Sequence, residues 1–246
     1  MKMRWVLEGL GKAGERAGKL ELGSALLPTP GPLLVTQGGL LPHLTQETLA
    51  HLPWARSAPV VAPLQHHLKQ GPVLEQWGRG LAAFCGLGDH PLLLSLHDTM
   101  EELRSGYNRN KSVSIWQFGT NQVHVDPGQY MEVVRQARPA AFLALCDGDT
   151  KSDCSNKRIS HSVAKSLLFL DSCLETVATD PALEGIGVIA AVEVRCRACN
   201  LKFKIAGRPR AEGEEEVCPR GSYPGSGGLP AGRLPPPRGG GRGAGV

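Results

Sequence analysis

The chain has 246 residues, 41% of them hydrophobic, and 27 Lys/Arg against 23 Asp/Glu give a formal charge of +4. That length suits one large domain or two small ones, and no stretch approaches the roughly 18 apolar residues of a membrane-spanning helix. The charge is uneven: residues 194–246 hold 10 of the basic and 4 of the acidic side chains, so the body is slightly acidic and lacks a general nucleic-acid footprint.

The opening segment to Pro32 is rich in Gly, Pro and Leu and shows few periodic signals. GPLLVTQGG then predicts a short strand over 33–36, stopped by Gly38 and Gly39. In LPHLTQETLAHL, Thr45 is placed to cap a helix, with Glu47 in its first turn. APVVAPL predicts a strand around Val60. LEQWGRGLAAFCGL sets Leu74, Trp77, Leu81 and Phe84 at helical spacing. PLLLSLHD is a continuous apolar run, the pattern of a strand buried on both faces.

SVSIWQF and NQVHV alternate around Gly119-Thr120 and predict a hairpin, with Val113, Ile115 and Gln117 facing one way and Ser112, Ser114 and Trp116 the other. In HVDPGQYMEVVRQA, Asp126 is the N-cap, Pro127 takes the first helical position, and Gln129 can close a capping box. Tyr130, Val133, Val134 and Ala137 then form one buried face. A strand over 141–146 follows. A long helix comes next, its stripe made by Ile159, Val163, Leu167, Leu170, Leu174 and Val177, and a third apolar run spans 185–192. Strand, helix and strand in that order make a βαβ unit and a parallel sheet. Pattern alone leaves a doubly wound sheet and part of a (β/α)8 barrel both open.

Near Glu193 the character changes. Residues 194–246 hold 12 Gly and 7 Pro with no apolar period, which predicts a low-complexity, disordered tail whose Arg residues supply any weak phosphate binding. The domain reading is therefore an α/β body over 1–193 and a Gly/Pro/Arg tail over 194–246. Seven irregularly spaced cysteines (85, 146, 154, 173, 196, 199 and 218) show no disulfide framework, so a reducing, cytoplasmic setting is expected. Cys196 and Cys199 form a lone CxxC with only Cys218 after it and no histidine beyond His161. A four-ligand structural zinc site is not expected there.

Chemistry in α/β folds collects at the carboxyl ends of the strands. Asp98, after LLLSLH, and Asp147, after AFLALC, occupy such ends and are the candidate base-recognition carboxylates; the alternative is that each caps a turn or helix. Asp149 and Asp153 are weaker candidates, and Cys146 reads as packing. His66, His67 and His97 lack partners at ligand spacing, and no nucleophile elbow, P-loop or dinucleotide fingerprint stands in context.

LSLHD, GYNRNKSVSIW, ALCDGD and KRISHSVAKSLLFLDSCL, in that order and spacing, resemble the accessory, non-catalytic branch of the tRNA-guanine transglycosylase family, the queuine tRNA-ribosyltransferases. GPLLVTQGGLLPHLT fits an early segment, and the resemblance runs over about residues 9–193. It implies a (β/α)8 barrel, here with about five strands. It also implies a heterodimer with a catalytic subunit that exchanges an anticodon guanine of tRNA for queuine through a covalent ribosyl-aspartate. Cytoplasmic location follows, with peripheral association at the mitochondrial outer membrane.

Within the resemblance Asp147 matches an acidic base-recognition residue. Asp98 is an approximate match to the aspartate of a DSGGF motif whose Ser-Gly-Gly is replaced here by Thr99-Met100-Glu101. The family's Gly-Gly loop, nucleophilic aspartate and CxCxxC–His zinc cluster would follow position 193, where this sequence has its tail. No catalytic residue, metal site or cofactor is expected in this chain, which reads as a truncated form. Two alternatives are an incomplete barrel without independent function and an active base-exchange glycosyltransferase.

Overall fold

A computed structural model describes residues 3–191, apart from 13, 24, 53–57, 89, 102–110, 118–120, 149 and 151–153. The boundary expected near 193 and the tail beyond it lie outside the described residues.

The first structure in the chain is one the sequence did not reveal. β1 (Arg4–Leu10), β2 (Arg16–Leu22) and β3 (Ala25–Thr29) form an antiparallel meander. Its alternation is blurred because a register shift between Leu7 and Gly9 interrupts β1 and, among the described residues, Leu22 and Leu27 are its buried apolar side chains, with Leu20 and Ala25 partly buried beside them. At Gly18 a Cβ would lie 2.1 Å from the Val6 carbonyl oxygen. The close pairing of β1 and β2 therefore depends on glycine there.

Five strands build the main sheet: β4 (Leu34–Val35), β5 (Val60–Pro63), β6 (Leu92–Ser95), β9 (Ala141–Leu143) and β10 (Gly187–Ile189). All four pairings are parallel, in the order β4-β5-β6-β9-β10. Each strand is added on the same side as the last. Among the described residues there is no reversal of order, hence no switch point of the doubly wound kind.

Both faces of this sheet are covered, which is why its strands read as unbroken apolar runs. Val60, Ala62, Leu92, Leu94 and Phe142 face the main core beneath the helices. Val61, Leu93 and Ala141 face the other way, onto Leu22 and Leu27 of the meander. At Gly187 a Cβ would come within 2.8 Å of the Met3 Cβ, so the chain's start lies against β10.

The helices follow their caps. Thr45 accepts a hydrogen bond from the Thr48 amide and starts α1 (Gln46–Ala50). Where the sequence suggested one helix through Leu74 and Phe84, there are two, α2 (Gly71–Trp77) and α3 (Gly80–Phe84). Gly78 at φ 68° and Gly80 at φ 80° take left-handed conformations that end the first helix and re-aim the second. Trp77 and Phe84 stay half-exposed, packed edge-to-face on each other.

β7 (Val113–Gln117) and β8 (Asn121–Val125) form the expected hairpin, with Val113, Ile115 and Gln117 buried; its turn lies outside the described residues. α4 (Pro127–Ala137) carries the full Asp126–Gln129 capping box, a device that contributes about 1 kcal/mol. Tyr130 on α4 is fully buried, stacks edge-to-face on Phe142 and donates to the Leu143 carbonyl at 2.5 Å. That contact fixes the helix against β9.

α5 (Asn156–Thr179) connects β9 to β10 and completes the expected βαβ unit. Its buried face is rotated from the apolar stripe read in the sequence. Ser162, Lys165, Phe169, Leu170 and Cys173 are buried, while Val163 and Leu174 are exposed. Polar residues hold the inward face because they bind the end of β9.

Candidate functional site at the carboxyl edge of the sheet

Two buried polar clusters occupy the carboxyl edge of the sheet, one around each aspartate singled out in the sequence. Asp98 and Asp147 are 3% and 1% exposed. Burial at that depth requires each carboxylate to have donors around it.

Asp98 lies three residues past the end of β6, directly after the turn in which Ser95 Oγ donates to the His97 carbonyl. Its Oδ1 accepts from the Met100 amide at 2.8 Å, an Asx turn that fixes the side chain locally. Its backbone amide donates to Gln65 Oε1 at 3.2 Å, and Gln37 Nε2 approaches Oδ2 at 3.4 Å. Gln65, in the 3-10 turn Leu64–His66 after β5, turns its amide nitrogen to Glu101 Oε2 at 3.0 Å. Gln117 on β7 donates to the Gln65 carbonyl at 3.3 Å, which draws the hairpin over this edge.

His66 Nε2 lies 3.7 Å from Asp98 Oδ2, and its ring, Asp98 and Glu101 offer ligand atoms within 4.8 Å of one another. The other ring nitrogen decides what this trio can do. The Gly38 amide donates to His66 Nδ1 at 3.2 Å, so Nδ1 accepts and the ring proton is left to Nε2, which has Asp98 Oδ2 at 3.7 Å and the Gln65 side-chain amide nitrogen at 3.4 Å. A metal on Nε2 would require that proton on Nδ1, facing another donor. The cluster is built as a carboxylate cradle of donors and fits a cation poorly.

Next to it, His67 is buried, with Nδ1 2.8 Å from Gln70 Oε1 and Nε2 without a partner. Burial pushes its pKa below the ordinary value; the Gln70 hydrogen bond opposes the shift and the neighbouring His66 adds to it.

Asp147 ends the β9 segment and is held from α5. Arg158 Nη2 donates to Oδ1 at 2.7 Å and Nη1 to Oδ2 at 3.2 Å, a two-pronged pair. Lys165 Nζ lies 3.4 Å from Oδ2 and also donates to the Ser112 carbonyl at 3.1 Å. Ser162 Oγ donates to the Asp147 carbonyl, and the Asp147 amide donates to Ser166 Oγ at 2.9 Å. Burial lowers the Lys165 pKa, and the attraction of Asp147 works against that shift.

Arg158, Ser162, Lys165 and Ser166 fall at i, i+4, i+7 and i+8, one face of α5. That polar spacing was present in the sequence, and it is the signal that would have found Asp147's partners. Gln37, Gln65, His66 and Glu101 had no such local signal. Cys146 packs against the main core. Asp149, Asp153, Cys196, Cys199 and Cys218 lie outside the described residues.

The family model described as queuine tRNA-ribosyltransferase matches residues 12–194. A protein of Ixodes scapularis named queuine tRNA-ribosyltransferase accessory subunit 2 is 33% identical over 184 residues, 74% of this chain and 46% of its own length. Proteins of the same name from Gallus gallus and Homo sapiens are 36% and 33% identical over 185 and 195 residues, each match covering 43% of the relative. The chain thus spans less than half the length of these curated relatives.

Proposed function

The chain belongs to the queuine tRNA-ribosyltransferase family, and from that premise we propose that it acts as a non-catalytic accessory subunit. In this role it pairs with a catalytic subunit and supports that partner's exchange of anticodon guanine for queuine in tRNA. The observation that carries the reading is the match, over about three quarters of the chain, to relatives named accessory subunit.

The site supports the same conclusion from its chemistry. Base exchange needs carboxylates free to accept hydrogen bonds from the base, and a nucleophile for the sugar. In our reading Asp147 and Asp98 keep the positions of base-recognition carboxylates but serve the chain's own donors: Arg158 and Lys165 in one case, the Met100 amide and Gln37 in the other. Thr99-Met100-Glu101 stands where the family's Ser-Gly-Gly would follow the aspartate, and Glu101 brings a second carboxylate to the edge.

The strand order is the one a (β/α)8 barrel uses, with successive parallel strands added in one direction, so we assign the sheet to such a barrel. No helix among the described residues is long and apolar enough to cross a membrane, and in this account attachment to the mitochondrial outer membrane is peripheral.

Capture tests the reading. Tagged chain, mixed with the catalytic subunit of queuine tRNA-ribosyltransferase, should elute with it as a one-to-one complex in size-exclusion chromatography. Separate elution at micromolar concentrations of both would reject it.

A further inference from the structure

We infer that Arg158 is an internal substitute for the base: its guanidinium occupies the edge of Asp147 that a guanine-like ring would need, and so determines that this site takes no base. The inference rests on the accessory reading and gives it a physical cause.

A 2-amino-4-oxo pyrimidine edge presents two parallel N–H donors to a carboxylate. The Arg158 fork presents the same pair, and both prongs are in place, at 2.7 Å and 3.2 Å on separate oxygens of Asp147. Lys165 takes a further position on Oδ2 at 3.4 Å. A base can bind only by displacing the fork. The fork is tethered, at an effective concentration on the order of millimolar or higher, and its charge neutralises a carboxylate that is 1% exposed. A free neutral base offers neither advantage.

The position of Arg158 supports this independently of the contact. It lies in the first turn of α5, three residues after the Ser155 cap. A cation there opposes the helix dipole, so helix stability alone does not account for it. The Asp147 carboxylate, beside the same turn, supplies the compensating charge. Ser162 and Ser166, one and two turns further on, bind the Asp147 backbone and hold the strand end in register with the fork.

The test uses thermal melts of the full chain with and without guanine. Variants are Asp147→Asn, Arg158→Met and the two combined, with capture by the catalytic subunit scored separately. Each single substitution is expected to lower Tm by about 5 °C or more, and the double variant should fall little below the less stable single, because both remove the same fork, Asp147→Asn also weakening the Lys165 contact. Guanine should leave the wild-type Tm unchanged. Additive losses would overturn the inference, as would a guanine-induced rise in wild-type Tm that disappears in Asp147→Asn. If Arg158→Met does not fold, Arg158→Lys keeps the charge and removes the fork. An intermediate Tm is then expected, and a wild-type Tm would count against the inference. Coupling between Asp147 and Arg158 without partner capture would leave the inference standing and remove the accessory reading alone.

Discussion

Lys165 on α5 donates to the carbonyl of Ser112, 53 residues earlier in the chain, at 3.1 Å. One buried side chain thereby joins the long helix, the end of β9 through Asp147, and the start of the β7–β8 hairpin. The hairpin has a second attachment to the sheet edge, from Gln117 to the Gln65 carbonyl.

Replacing Lys165 by Met keeps the packing over Phe169 but removes both polar contacts. The expected loss is about 2 kcal/mol, since the Ser112 carbonyl loses its lysine donor while Asp147 keeps Arg158. Urea denaturation measures the total. Amide exchange should report faster opening in β7 than in β9.

His67 gives the fold a weakness on the acid side. Burial holds its pKa below the ordinary 6.5 in the folded state, so below that pH the unfolded chain takes a proton that the folded chain refuses. The unfolded state then binds more protons, and stability falls as the pH drops below about 6.5. His67→Gln should flatten this limb between about pH 6.5 and 5.5, where carboxylate titration contributes little. An unchanged slope in urea midpoints would count against the burial argument.

On the alkaline side Tyr130 has the opposite sign. Burial raises its pKa well above 10, with smaller contributions from Cys173 and Cys146. The folded phenol keeps its proton while the unfolded one ionises, so this stabilisation is complete below about pH 10 and declines above it. Tyr130→Phe should cost about 1 kcal/mol at neutral pH for the lost bond to Leu143, and the variant should lose less stability than wild type above pH 10. Lys165 pulls the other way in that range because its pKa is lowered. The comparison is therefore cleanest in a Lys165→Met background.

Gly18→Ala tests the meander. A methyl group there would meet the Val6 carbonyl oxygen at 2.1 Å, and since both are backbone-bound, β1 and β2 must separate. The expected cost is about 2 kcal/mol. Loss of amide protection should extend over β1, while the parallel sheet keeps its protection.

What the sequence revealed and what it hid divide along physical lines. The capping box at Asp126 and the apolar runs of β5, β6 and β9 were legible because each is a local pattern: donor and acceptor three residues apart, or a strand buried on both faces. The meander was hidden by the shift at Gly9 and by strands whose residues are mostly exposed. The face of α5 was misjudged because hydropathy favoured Val163 and Leu174, whereas ion pairing turned Lys165 inward. Asp98 and Asp147 were legible as strand-end carboxylates, and the partners of Asp147 left a polar spacing on α5, but those of Asp98 left none. Gln37 and Gln65 reach Asp98 across 61 and 33 residues, and no spacing rule spans that distance.

In the proposed role this chain assists base exchange without performing it. The direct measurement is incorporation of labelled guanine into cognate tRNA by the purified chain alone, by the catalytic subunit alone, and by the two together. We expect no turnover from the chain alone, the same absence in Asp147→Asn, and greater turnover from the mixture than from the catalytic subunit by itself. Turnover by the chain alone, abolished in Asp147→Asn, would contradict that role.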